Sequence, residues 1–278
     1  MKVGDAHCHV NPIKGLGPRE VAKRFKKTGG WFTGLVNLLS WSYDVKIVNA
    51  DDYRKVYEIT LKSADIMRKE GLNVAVILGP HPAELVSLIE KGVKPDKAYA
   101  IVLKAYEIAA SYVAEGKASG LGEAGRPHWP VQRNVLNLCN QVLDKILEIA
   151  SDLDCVVHLH LEETRQETIE DVYVRVKRSG ARRVVVHHIK GEYVGLAVEK
   201  GLYASVPARN RDLIEALKHG PLFVVESDYL DDPKRPGAVV APWSIGRTFN
   251  RLINDGFLSE DAAAKVLVDN ISFLYSVA

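Results

Sequence analysis

Eight short apolar runs, separated by stretches of helical periodicity, set the strongest limit on how this chain can fold. They span residues 2–6, 31–39, 73–78, 118–122, 155–161, 183–187, 202–206 and 222–225. Segments such as VAVIL, RRVVV and LFVV are unbroken rather than alternating, as expected of strands buried on both faces of a parallel sheet. Amphipathic segments between strands are the signature of βα units, and eight such units close a barrel. The expectation is therefore an α/β fold, a TIM-type (β/α)8 barrel, with the 278 residues forming one domain over 1–278.

Helices are expected over 18–28, 51–70, 82–91, 96–115, 131–152, 163–179, 192–200, 210–218, 242–255 and 259–275. Pro18 and Pro82 stand at first turns, Asp51 and Asn210 read as N-caps, and Gly71, Gly180, Gly201 and Gly220 follow the ends. An open doubly wound sheet is the competing architecture, but no glycine-rich phosphate or dinucleotide loop follows the first run. A net charge of +2 lacks the strong basic bias of a dedicated duplex-binding protein. Cys8, Cys139 and Cys155 are odd in number and irregularly spaced, which argues for reduced thiols and not a disulfide framework. Without a leader pattern or an apolar run of membrane-spanning length, the reading is a cytoplasmic protein without a membrane partner.

Metal-ligating residue types gather where these runs end. In DAHCHV, His7 and His9 lie two apart and share a strand face, with Asp5 one step deeper. Taken alone, such a pair is equally compatible with ordinary structure. Glu123 sits in LGEAG, where an unpaired carboxylate would be costly to bury. A bound cation would offset that cost, and so would pairing with Arg126. In CVVHLHLEE, His160 is nearer the mouth and His158 deeper, while the adjacent His187 and His188 must face opposite sides of a strand, with His188 favoured for being further along. Asp228 closes the eighth run, and Asp231 and Asp232 after it fit either a site or a solvated turn.

The motifs DAHCHV, LGPHPAE, GEAGRPHW, HLHLE, VVVHH and VESDYLDDPKRPGAV resemble those of TatD-related metal-dependent hydrolases of the amidohydrolase superfamily, in particular an archaeal branch. The resemblance runs from the first strand to the eighth. It implies a dinuclear centre in which His7, His9 and Asp228 hold one metal, Glu123 bridges, His160 and His188 hold the second, and His81 lines the pocket. Two departures from the better-known TatD nucleases bear on substrate: Asn11 and Pro12 replace an acidic position, and GEAGRPHW replaces a motif continuing with Leu and Asp.

Two divalent ions about 3.5–4 Å apart can share a hydroxide, the expected nucleophile, with Asp228 and Glu123 as the catalytic carboxylates and Asp228 shuttling the proton. The mixed ligands suit Zn2+, Mn2+ or Fe2+, and the resemblance admits Mg2+. Arg209 and Arg211 after the seventh run and Lys234 and Arg235 after the eighth point to a phosphoester, with DNA as an eligible substrate, unless they are simply solvated charge. Arg126 and His128 are further substrate contacts. Trp31, Trp41, Trp129 and Trp243 fit either base stacking or packing. The leading expectation is a deoxyribonuclease-type cleavage of phosphodiester bonds. The alternatives are hydrolysis of a small amide, lactone or cyclic ester, and a non-catalytic metal-binding barrel.

Overall fold

The computed structural model describes residues 1–234 and 240–277. Its strands are β1 (Val3–Cys8), β2 (Gly30–Val36), β3 (Asn73–Leu78), β4 (Gly120–Gly125), β5 (Val156–His160), β6 (Arg183–Val186), β7 (Tyr203–Pro207) and β8 (Val224–Glu226). They run parallel in sequence order, forming a nearly closed (β/α)8 barrel. The seam between β8 and β1 is held by backbone bonds beyond the strand ends. The Asp228 N–H donates to His7 O (2.9 Å) and the His9 N–H to Tyr229 O (2.8 Å). The Asp5 carboxylate accepts from the Ser227 N–H (2.8 Å) and hydroxyl (2.6 Å).

Between and after the strands lie α1 (Gly17–Lys27), α2 (Tyr53–Lys69), α3 (Pro82–Glu90), α4 (Pro95–Ala114), α5 (Arg133–Leu153), α6 (Gln166–Ser179), α7 (Val194–Glu199), α8 (Asn210–Leu217) and α9 (Ile245–Asn254). The segment expected as one last helix is α10 (Glu260–Ala264), a π-turn over Lys265–Asp269, and α11 (Asn270–Tyr275). Among the described residues no helix is long and apolar enough to cross a membrane.

Several expected details differ. The run at 31–39 leaves the sheet after Val36, because the Ser40 N–H donates to the buried Glu84 carboxylate (2.6 Å) and draws the segment into a mouth loop. β4 extends past Gly122, since the Arg126 N–H continues the ladder to His160 O (2.8 Å) and carries Glu123 inside the strand. Asn49 and not Asp51 caps the turn before α2, accepting the Asp51 N–H, and Asn210 is the first residue of α8, with Arg209 before it. Asp5 does not continue the ligand face: the register shifts between Asp5 and Cys8, and its carboxylate is taken up by Ser227.

The larger apolar core lies between strands and helices, and a second cluster fills the barrel. That second cluster includes Phe32, Ile77, Val156, Val185 and Val224, with Trp31, Ile271, Leu274 and Tyr275 plugging its lower end. The plug sends the Tyr275 hydroxyl up to Ala6 O (2.8 Å). Close approach of β1 to β2 requires Gly34, where an added Cβ would lie 2.2 Å from Ala6 O and 3.1 Å from the Tyr275 hydroxyl. Gly34→Ala is therefore expected to cost about 1–3 kcal/mol through overpacking. Urea unfolding measures it, and an unchanged midpoint would refute the tight β1–β2 contact.

Candidate metal centre

Five strand ends bring six buried side chains together at the barrel mouth. His7 and His9 come from β1 and the residue after it, Glu123 from β4, His160 from β5, His187 from just past β6, and Asp228 from just past β8. Glu123 stands between two sets of imidazoles. Its Oε2 lies 3.8 Å from His7 Nε2 and 3.5 Å from His9 Nε2, while its Oε1 lies 3.1 Å from His160 Nδ1 and 3.4 Å from His187 Nε2. Asp228 Oδ1 lies 3.4 Å from His9 Nε2, 3.9 Å from His7 Nε2 and 4.0 Å from His187 Nε2.

The remaining hydrogen bonds of these rings determine which nitrogen faces the site. The Tyr275 hydroxyl has one proton and donates it to Ala6 O, so it must accept from His158 Nε2–H (2.7 Å). His158 Nδ1 is then an acceptor and takes the His7 Nδ1–H (2.8 Å), which leaves the His7 Nε2 lone pair turned to the mouth. Burial pushes His158 well below the ordinary imidazole range, keeping it neutral as this chain of bonds requires. His9 Nδ1 faces the Val36 carbonyl (3.0 Å), which can only accept, so the neutral ring likewise points an Nε2 lone pair inward. His187 Nδ1 lies 2.8 Å from Glu226 Oε2. The His188 N–H and the Ser205 hydroxyl already donate to Glu226, which equips it to accept this bond too, although burial pushes its carboxyl up to about 8.

This donor set fits a cation. His7 Nε2 and His9 Nε2 are 3.2 Å apart, and two neutral rings so oriented would oppose lone pair to lone pair. Burial pushes His7 down and His187 well down, which keeps both neutral. It also opposes charge on His9, but Asp228 and Glu123 outweigh it and raise this ring. Burial likewise opposes ionised Glu123 and Asp228. The imidazole of His160 nevertheless holds Glu123, and that of His188 holds Asp228, well below the usual carboxylate range. His7, His187 and Asp228, and His7, His9 and Glu123, each bring three ligand atoms within 4.8 Å of one another.

His187 and His188 do not take opposite faces of a strand. β6 ends at Val186, and His188 adopts left-handed backbone (φ 56°), so both rings reach the mouth. The His187 ring is buried and stacked on His7 (3.8 Å between centroids), whereas His188 is partly exposed and its Nε2 meets Asp228 Oδ2 at 2.7 Å. His81 caps α3, its Nδ1 accepting the Ala83 N–H (3.0 Å). Burial pushes it down to about 3, and the neutral ring must carry its proton on Nε2. Although His81, Glu123 and His160 lie close enough to form a ligand trio, His81 is thus set up to donate a proton to a hydrogen bond and not a lone pair to a metal.

His128 Nδ1 contacts His160 Nε2 (3.0 Å), and Arg209 lines the same cavity. Arg126 turns away from Glu123 and is held by Glu162 (2.6 and 2.9 Å) and Asp171, which removes it from the ligand cluster. Arg211 lies in a separate surface recess with Lys190 and Glu192, apart from the metal cluster. Arg235 lies outside the described residues. Asp231 is buried, where its carboxylate accepts the N–H groups of Asn11 (2.9 Å), Leu16 (2.7 Å) and Gly17 (3.0 Å) and so ties the β8 loop to the β1 loop. Glu226 and Tyr275 were not foreseen. The only sequence hint for Glu226 is its place two residues before Asp228, and Tyr275 reads as ordinary helix packing.

The family described as TatD related DNase matches residues 4–276. An uncharacterised protein of Methanocaldococcus jannaschii is 31% identical over 100% of this chain and 96% of its own length. Among solved structures, the TatD homologue YJJV of Escherichia coli superposes with a TM-score of 0.69 at 19% identity, covering 99% of this chain and 98% of that one. A mutant PTE-like lactonase from Deinococcus radiodurans gives 0.63 at 13% identity, covering 98% and 95%.

The bonding chain makes Tyr275 a determinant of metal affinity from below the site. Tyr275→Phe removes the hydroxyl that donates to Ala6 O and accepts from His158 Nε2–H, and should weaken metal binding roughly 10–100-fold. Competition with a chromophoric chelator measures it, and wild-type affinity would refute the relay. Metal loading should also release protons, with affinity falling as pH is lowered, because a cation competes with protons for the lone pairs of the imidazole and carboxylate ligands. Calorimetry in buffers of different ionisation enthalpy detects this, and buffer-independent heats would contradict it.

Proposed function

This chain belongs to the TatD-related DNase family and is a metal-dependent hydrolase, and on that premise we propose that it cleaves phosphodiester bonds with two divalent cations. The observation that carries the reading is the position of Glu123, one oxygen directed at the His7–His9 pair and the other at His160 and His187. A carboxylate so placed suits a bridge between two ions. His7, His9 and Asp228 would hold one and His160 and His187 the other. His187 takes the place expected of His188, whose Nε2 is engaged with Asp228.

When bound, such ions bring the pKa of water toward about 7 and polarise a scissile phosphoryl oxygen. The chain's own residues supply the rest. Asp228 Oδ1 faces the cavity and is the base that takes a proton from attacking water and passes it to the leaving oxygen. Its Oδ2 is steadied by His188, which orients the carboxylate. His81 Nε2–H and Arg209 are the donors available to phosphate oxygens in the cavity. Burial of the carboxylates excludes bulk water and strengthens each of these contacts.

A second reading, hydrolysis of a small ester or lactone, is favoured by the apolar walls Leu38, Leu39 and Leu230 of a central cavity of about 430 Å3. The likeness in fold to a lactonase is consistent with it. Metal-loaded protein offered single-stranded DNA and a panel of small esters separates the two. Cleavage of DNA is expected, with Asp228→Asn lowering kcat roughly 10²–10⁴-fold at unchanged fold. Turnover of esters alone would establish the second reading, and fewer than two ions per chain under metal-replete conditions would overturn the dinuclear assignment.

A further inference from the structure

The cavity above the metal centre does not end at its walls. It shares Leu38, Leu39, Trp41 and Leu230 with a second recess of about 560 Å3. That recess is built from loops after β1, β2 and β8, with Asp232 and Lys234 on its rim beside Lys14, whose ammonium is paired with Asp44. On the other side it shares His128 and Trp129 with a third recess of about 730 Å3 formed by loops after β4 and β5. In a ring ordered β1 to β8, the β8–β1–β2 arc lies across the mouth from β4–β5. The three recesses therefore form one cleft crossing the mouth, with the metal centre in the middle.

The two arms differ from each other in chemistry but share one device. Trp41 and Trp129 are 40% and 37% exposed, whereas Trp31 is buried in the barrel plug and Trp243 packs edge-on against Tyr229 (5.3 Å). Each exposed ring is braced: Trp41 by the Lys91 ammonium (5.4 Å) and Trp129 by His128 in a T-shaped contact (5.0 Å). The β4–β5 arm continues from Trp129 over Pro127, Pro130 and Val131. Of its three acidic residues, Glu162 is paired with Arg126 and Glu163 with Lys190 and Arg165, while Glu167 stands in the first turn of α6. An apolar, aromatic arm and an arm that sets a second exposed tryptophan near Lys234 suit a chain of alternating flat bases and phosphates.

Resting on the nuclease reading above, we infer that the cleft holds single-stranded nucleic acid on both sides of the scissile bond, with Trp41 and Trp129 each stacking a base, so that internal bonds are cut. The reacting carboxylates lie at the bottom of the cleft, Glu123 and Asp228 each only 5% exposed. Bending a duplex, stiff over about 150 base pairs, down into such a recess costs considerable elastic energy, whereas a single strand follows it freely. No free end is needed to reach the centre, because the cleft continues past it in both directions.

The test compares circular single-stranded DNA with the same molecule linearised, both incubated with the metal-loaded full chain. Cleavage of the circle at a rate comparable to the linear form is expected. Digestion of the linear form alone would overturn the inference while leaving the nuclease reading intact, and hydrolysis of small esters with neither DNA cut would remove both. A second arm follows quenching of tryptophan fluorescence as a cleavage-resistant oligonucleotide binds the holoenzyme. Trp41→Ala and Trp129→Ala should each weaken binding roughly tenfold, with Trp41→Phe and Trp129→Phe restoring most of it. Wild-type binding by both alanine variants would refute the stacking role.

Discussion

Two carboxylates that stay ionised at the bottom of a protein cleft must be matched by positive charge, because an unpaired buried anion is strongly disfavoured. Among the described residues, the ion-pair partners of Glu123 and Asp228 are all histidines. Imidazoles meet that need in one of two ways, by holding protons or by presenting lone pairs to a cation. The bonds behind the rings favour the second. Tyr275 through His158, Val36 and Glu226 each direct an Nδ1 proton away from the mouth and an Nε2 toward it. The site is thus prepared for metal by groups that never touch it.

The fold was legible in the sequence to a degree that the site was not. Strands buried on both faces announce themselves by unbroken branched aliphatics, and all eight apolar runs coincide with strands. The misjudged boundaries occur where a tertiary bond overrides local pattern. Leu38 and Leu39 read as strand but belong to a loop anchored by Glu84, and Glu123 sits inside β4 because Arg126 extends the ladder. Strand alternation could not resolve His187 from His188. The rule applies only within a strand, and β6 stops one residue earlier, after which a positive φ swings His188 toward Asp228. The same limit explains Asp5, since a register shift cannot be read from a two-residue period.

Charged residues near the mouth show why residue type alone is a weak guide to substrate contact. Arg126 and Asp231 looked like site residues by position, yet each is buried against partners distant in sequence, Glu162 and Asp171 for one and the N–H groups of the β1 loop for the other. Both hold the loops that form the cleft. The tryptophans divide similarly: of four identical side chains, the two on mouth loops are exposed, Trp243 is half-buried and Trp31 is buried. Nothing local in the sequence distinguishes them, because exposure is set by where the ring of strands sends each loop.

A barrel places its reactive groups on rigid strand ends and its recognition surface on loops, and this chain follows that division. It adds a dependence running the other way. α11, which closes the barrel from below, also supplies the hydroxyl that sets the proton positions of His158 and then His7. Fraying of that last helix would therefore do more than open the lower core. Without Tyr275, the bond between His158 and His7 can reverse direction, turning a protonated His7 Nε2 toward Glu123 and Asp228. A proton there competes directly for the position a metal would take, so the packing of the C-terminal helix and the affinity of the mouth for metal are one coupled property.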